Sequence, residues 1–277
     1  MNKICYLGLV AVFAAIFMAS CGNKSGSFTD NDCDSIKYST IKLSDSTSLT
    51  TNGRQCAMGV DITAEIPSDT TDSLQKLFVK HVLDMPDSLQ TNEAVRQYAS
   101  KVLHQFDYAT SDQPEELNED EVLFETVDSY NTNINIYVQY NRHGVITFCK
   151  VISVKKNNKV TSVKHRYYSF DTKSHQYLSL TKMFREDAVS ALTKMIKTRL
   201  MENNNVKTAE QLIDLGYYNI DNLVVSRNFY FDENGINWSF LPNELAVYAL
   251  GEPKVRLDFE EVLPLASDDS VLKRITD

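Results

Sequence analysis

"RNFYFDENGINWSFLPNELAVYALGEPKVRLDF", residues 227–259, decides how the chain folds. Its first two runs, 227–231 and 236–240, flank the tetrapeptide Asp-Glu-Asn-Gly. The pair Asn234-Gly235 is what a tight hairpin turn favours, because its central residues need φ above zero. Beyond the hairpin, Pro242 has its φ preset for the first position of a short helix. Gly251 can end that helix, and residues 253–259 make a last strand. Asn234, Gly235, Trp238, Pro242, Tyr248 and Gly251 are therefore read as the signature of a fold rather than as an active site.

Working outward, residues 182–202 carry Phe184, Ala188, Leu192, Met195 or Ile196, and Leu200 at helical spacing, which predicts a long amphipathic helix packed on a sheet. Before it, "NINIYVQY" (133–140) alternates Ile134, Ile136, Val138 and Tyr140 with polar partners, so one face is apolar and the other wet. "GVITFCKVISV" and "VTSVKHRYYSF" continue as strands joined at "KKNNK", a hairpin turn without glycine. Nearer the N-terminus, "IKYSTIKL" and "QCAMGVDITAEI" read as strands around "TTNG". Helical faces follow at Leu74, Leu77, Phe78 and Val82, then at Val95, Tyr98, Val102 and Phe106 after Pro86. Strands grouped with strands and helices with helices predict an α+β fold with largely antiparallel sheets and a smaller strand-helix N-terminal part. The expected units are residues 36–132 and 133–277.

The first 20 residues have one charge, Lys3, then an uncharged stretch and small residues before Cys21, the pattern of a cleaved secretory signal. Met18-Ala19-Ser20-Cys21 resembles the lipobox of bacterial lipoproteins, which implies cleavage before Cys21 and attachment of a diacylglyceryl group and an N-acyl chain there. Two lipid signals are what stable anchoring needs. Residues 21–35 then form the lipidated cysteine and a polar tether, of which residues 22–32 would span roughly 40 Å when extended. The expected address is the cell envelope, on the periplasmic or outer-membrane face. The formal charge is −9 and becomes −10 without Lys3, which opposes nucleic acid and attracts a basic partner. Five cysteines become Cys33, Cys56 and Cys149 once Cys5 and Cys21 are set aside. At most one internal disulfide can form, and Cys33 with Cys56 is one pairing, against a fully reduced set.

Residues 227–266 resemble the C-terminal domain of the extracytoplasmic part of lysozyme-sensing membrane anti-sigma factors, of some peptidoglycan deacetylases and of many lipoproteins. "RYYSFDTKSHQYLSLTKMF" resembles that family's strand, Asp-turn and strand leading into the long helix, so the likeness runs over about 133–266. What it implies is a domain that senses a ligand such as lysozyme. An anti-sigma factor needs a cytoplasmic domain ahead of its membrane helix, and a deacetylase needs a metal-binding catalytic domain, so neither whole-protein role is expected.

Catalytic patterns are sparse. No Gly-x-Ser-x-Gly elbow, phosphate-binding glycine loop or His-Glu-x-x-His pair occurs, and Ser-x-x-Lys at Ser39, Ser73, Ser153, Ser179 and Ser270 lacks its partner motifs. Asp30, Asp32 and Asp34 begin like a calcium loop, but Ser35 and Ile41 stand where glycine and glutamate belong. No metal or other cofactor is expected. Lys155, Lys156, Lys159, Lys164, His165 and Arg166 concentrate positive charge in an acidic chain, and read either as a lysine-protected sheet edge or as a contact for an anionic envelope ligand. The leading expectation is a non-enzymatic envelope lipoprotein that binds a protein or cell-wall ligand, with a lysozyme-like basic protein as the sharpest candidate. Its alternatives are an enzyme acting on peptidoglycan or glycan around His165, Asp171 and His175, and a structural subunit of an envelope complex with a large exposed apolar patch.

Overall fold

A computed structural model describes residues 35–51, 54–68, 72–111 and 128–276. The signal segment, Cys21, the tether, Cys33 and the acidic run 113–121 lie outside the described residues. The architecture is α+β, with a six-stranded sheet in the order β1-β2-β3-β4-β5-β6 and a three-stranded sheet β7-β8-β9.

Strands β1 (Tyr38–Thr51) and β2 (Arg54–Pro67) form a long antiparallel hairpin. In β2, Met58, Val60, Ile62, Ala64 and Ile66 are buried and alternate with less buried neighbours, the period of two that puts one strand face inward. They meet α1 (Asp72–Leu77), a π-helical turn (Phe78–Val82) and α2 (Thr91–Ser111), which presents Ala94, Val95, Tyr98, Ala99 and Leu103 to the same core. These helices also solve a connection problem. β2 pairs in parallel with β3 (Asp128–Arg142), and a parallel pair needs a long crossover. All other neighbouring strands run antiparallel. Because β3 runs through residues 132 and 133, one sheet takes strands from both sides of that position.

β3 pairs with β4 (Val145–Lys156), and the register shifts between Val138 and Tyr140. A bulge inserts one residue and turns the next side chain to the opposite face. Ile134 and Ile136 therefore join the helix-side core with Val138 packed against it, whereas Tyr140 joins the core on the other face, 6.0 Å from Phe231 between ring centroids. The single apolar face expected for 133–140 thus ends at Val138. β4 turns into β5 (Lys159–Asp171) at Asn157 and Asn158, with φ of 49° and 62°. Asparagine tolerates the left-handed region, so the turn forms without glycine.

On the edge away from β4, β5 pairs among the described strands only with the two-residue β6 (Gln176–Tyr177), and most of that edge needs other partners. Side chains supply them. Asn228 Oδ1 accepts from Tyr167 N at 2.8 Å and Asn228 Nδ2 donates to His165 O at 3.0 Å. Glu252 Oε1 accepts from His165 N at 2.8 Å, and Tyr248 Oη donates to Thr161 O at 3.1 Å. Replacing Asn228 by alanine strands two backbone groups and should cost about 2 kcal/mol. A denaturant midpoint that does not move, with unchanged hydrogen exchange at the Tyr167 amide, would show that this edge needs no cap.

The second sheet, β7 (Phe229–Phe231), β8 (Gly235–Ser239) and β9 (Lys254–Asp258), packs beside β5 with α4 (Ala188–Asn203) across it. The continuous helix expected over 182–202 is divided. α3 (Leu180–Met183) stops at Phe184, whose φ of −120° and ψ of 150° are extended. Phe184 leaves the helical path to bridge Ala266, and Arg185 N donates to Leu265 O at 3.1 Å. The helix that remains, α4, is 16 residues long and buries Ala188, Leu192, Ile196 and Leu200. Residues 242–250 likewise form turns and a short 3-10 segment (Tyr248–Leu250) rather than a helix from Pro242, and Gly251 follows with φ of 69°. Gly235 serves a close approach: a Cβ there would lie 2.2 Å from Leu257 O on β9. α5 (Ala209–Asp214) lies between α4 and β7, and α6 (Phe259–Val262) and α7 (Val271–Thr276) follow β9, the last tied to β5 by Arg274 Nη2 donating to Asp171 Oδ1 at 2.8 Å. The buried residues of both cores lie within 43–275, so a chain without its first 20 residues keeps them whole.

Candidate ligand-binding groove

The pleat divides the basic cluster of the β4–β5 hairpin. His165 projects toward the second sheet, where Glu252, 10% exposed, holds its Nδ1 at 2.9 Å and its backbone N at 2.8 Å with the two carboxylate oxygens. Lys155 is half-buried beside Val160 at the bulge in β5. Lys156 and Lys159 are exposed and face each other in the register, and Lys156 reaches Asp128 at 3.6 Å and lies over the Tyr130 ring at 5.4 Å. Lys164 is exposed opposite Ile152. Arg166 stands opposite Lys150, and of the six it alone lines a groove of about 580 Å³ between α2 and strands β3–β5.

That groove is assembled by alternation. On β4, Lys150, Ile152 and Val154 share one face, joined by Thr132 and Ile134 on β3 and by Arg166 and Tyr168 on β5. Tyr98, Lys101, Val102 and Gln105 of α2 form the opposite wall, with His81 and Asp84 closing the inner end. His81 is stacked on Tyr177 at 4.5 Å, and burial followed by the charge of Lys80 pulls its pKa down. Lys101 pairs with Asp84 at 2.7 Å, a hydrogen bond that holds the Asp84 carboxyl below its ordinary range.

Lys150 is the unusual member. It is 5% exposed, its Nζ donates to Val82 O at 2.6 Å, and it sits 4.5 Å from the Tyr98 ring centroid and 5.8 Å from that of Tyr168. Buried ammonium groups ordinarily pair with a carboxylate, and among the described residues none hydrogen-bonds this one. Burial, then the charge of Arg166, lowers its pKa from 10.5 to about 8. The same burial raises Tyr168 to about 12 and Tyr98 further. Arg166 makes no side-chain hydrogen bond or ion pair among the described residues. Thr132, 2% exposed, has an Oγ1 without a partner among the described residues. The groove therefore offers cationic and hydroxyl groups whose hydrogen-bonding capacity the fold leaves unspent.

Sequence reasoning singled out Arg166 and missed Lys150, Lys101, Tyr98 and Thr132. One signal was legible: Lys150 is the single charge within the apolar run 144–154. The trio His165, Asp171 and His175 does not converge. His165 and Asp171 lie six residues apart along β5, roughly 20 Å, and Asp171 is occupied by Arg274 and by the backbone N of Lys173 and Ser174. Ile213, Leu215, Val247, Tyr248 and Leu250 are exposed apolar residues, and of these Val247 and Leu250 lie against Gly216. Among the described residues no helix is long and apolar enough to cross a membrane.

Residues 181–260 match the sequence model of a family described as a protein of unknown function, DUF3298. No curated protein matches the chain. Among solved structures, a DUF3298 family member from Bacteroides fragilis superposes with a TM-score of 0.66 at 17% identity, covering 87% of this chain and 98% of its own. A DUF3298 family protein from Pseudomonas aeruginosa PAO1 gives 0.55 at 11% identity, covering 84% and 96%. At these identities the likeness is one of fold.

Proposed function

We propose that this protein is a cell-envelope lipoprotein, anchored by lipid on Cys21, whose folded part binds a cell-wall or envelope-derived ligand in the groove between α2 and strands β3–β5 and performs no chemistry on it. The groove carries this reading. Arg166 and Lys150 bring positive charge that no carboxylate among the described residues hydrogen-bonds, tyrosines flank it, and apolar residues line the floor, the mixture that a small-ligand site requires. The sequence motif at Cys21 supplies the address.

Two measurements test it. When the chain that lacks residues 1–20 is titrated separately with soluble muropeptides and with an envelope lipid extract, at least one of the two should raise the Tm of the wild type, because a ligand that binds only the folded state stabilises it. The same ligand should leave Ile152→Trp, which fills the floor, at its own baseline. Equal shifts in both proteins, or none in either, would remove the groove as the binding site. For the anchor, Cys21→Ala in the full chain should move the protein from the membrane to the soluble fraction, and undiminished membrane retention would end the lipoprotein reading.

A second reading has its own support. The formal charge of −9, or −10 without Lys3, draws a basic protein toward the surface, and the domain that the sequence resembles senses lysozyme. Lysozyme added in the same titration distinguishes a specific contact from generic attraction, since only the former persists when salt screens exposed charges.

A further inference from the structure

The groove is graded along its length. Lys150 lies at its inner end, between Tyr98 and Tyr168 and opposite Arg166. Moving along β4 toward the hairpin, the next two side chains on that face are Ile152, opposite Ile134 on β3 and the exposed Lys164 on β5, and Val154, opposite Thr132 on β3, with Val102 of α2 also lining the groove. Positions 150 and 154 are roughly 13 Å apart along the strand. One end is thus cationic and aromatic, and the path leading away from it is mostly aliphatic, with the Thr132 hydroxyl at its far end.

Each end imposes a chemical demand. A free guanidinium presents a fork of N–H donors matched to a carboxylate or phosphate, and such charge-assisted bonds are the stronger kind. The buried ammonium beside it adds charge where water is scarce. Along the apolar stretch the Thr132 hydroxyl is the one buried polar group among the lining residues with no partner among the described residues, so most polar groups of a sugar or a peptide backbone would lose water there without replacement. Only a molecule with a compact anionic head and an apolar body satisfies both ends at once.

We propose that the groove binds a single-chain anionic amphiphile, with its acidic head at Arg166 and Lys150 and its tail along Ile134, Ile152 and Val154. This rests on the groove being the ligand site, and it narrows the ligand to one class. The Asp84 carboxylate beside Lys101 sharpens the selection, because it leaves Arg166 rather than Lys101 as the accessible partner for the head.

Dodecanoate and dodecanol have the same chain and differ in the head, so they are the probes, read by isothermal titration against the chain lacking residues 1–20. Dodecanoate should bind saturably with one site per chain, and about ten-fold tighter than dodecanol, the scale of one charge-assisted hydrogen bond. Arg166→Gln should bring dodecanoate down to the dodecanol level without altering dodecanol, and Arg166→Lys should recover part of the difference. Val154→Asp should weaken both. Equal binding of the two probes, or an Arg166→Gln protein that still prefers dodecanoate, would overturn the proposal. Acetate or inorganic phosphate binding as tightly as dodecanoate would overturn it too, leaving an anion site without a tail. Muropeptides that stabilise the wild type and not Ile152→Trp, with dodecanoate inert, would refute the amphiphile and keep the groove as a binding site. If neither class binds, both readings fall.

Discussion

Replacing Trp238 by alanine is expected to lower the folding stability by about 4 kcal/mol, the scale of removing a large buried aromatic side chain. The chain has one tryptophan, and it is 0% exposed on β8, the central strand of the second sheet. It stands opposite Phe229 on β7 and Val255 on β9, with Phe184 at 6.4 Å between ring centroids. Three segments distant in sequence therefore depend on one side chain. The second sheet has strands of only three to five residues, and so little ladder to hold it when the centre is hollow. For a chain of this size the loss corresponds to a Tm lower by about 10 °C, read by far-ultraviolet circular dichroism because the fluorophore is gone. Trp238→Phe is the informative partner. It keeps most of the apolar volume and removes an indole Nε1 that has no acceptor among the described residues, so it should lose much less than the alanine variant. An alanine variant within about 1 kcal/mol of the wild type would mean that Trp238 does not organise this core.

Local sequence made Trp238, the β-hairpins and the fold class legible, because those features are written in alternation and turn chemistry. Failures began where distant segments decide. Helical periodicity runs straight through Phe184, but the bridge to Ala266 breaks the helix there, and no local pattern encodes that contact. Gly235 was read for its conformational freedom, yet its reason is the Leu257 carbonyl 2.2 Å from any Cβ. Tyr140 fitted the alternation of β3 and was turned to the other face by a bulge one residue earlier. The basic cluster fared similarly. A period of two already separates His165 from Lys164 and Arg166, so a single patch was never available to the pleat. What the sequence did not disclose was α2 lying over that face, with Tyr98 closing on Lys150 across 52 positions of chain.

Lys150 should leave a signature in the pH dependence of stability. Its pKa in the folded protein is about 8, against 10.5 when unperturbed, and burial is the first cause. Below pH 8 both states carry the charge, and the folded state bears a cost on the order of 3 kcal/mol for keeping it out of water. Between pH 8 and about 10.5 the folded state releases its proton first, and the unfolded chain binds more protons. Stability contributed by this group therefore rises with pH across that window. Tyr98 and Tyr168, pushed upward by burial, act oppositely above pH 10, because their contribution is complete below the ordinary tyrosine pKa and fades as pH climbs toward their folded values. Comparison with Lys150→Met cancels the tyrosines. The substitution deletes the buried charge and also the bond from Nζ to Val82 O, itself about 1–3 kcal/mol when the carbonyl is left alone. At pH 7 the relief of the buried charge and the loss of that bond nearly offset, and the variant should unfold close to the wild type. Near pH 10 the wild type should be the more stable by roughly 2 kcal/mol, as measured by urea unfolding at both pH values. A difference that stays constant with pH would mean the amine is not a buried cation at neutral pH. A charge that costs stability at neutral pH, where a methionine of similar length would fill the space, gives the chain no packing advantage; under the proposed function its advantage lies in the groove, where an anionic ligand would pair with it.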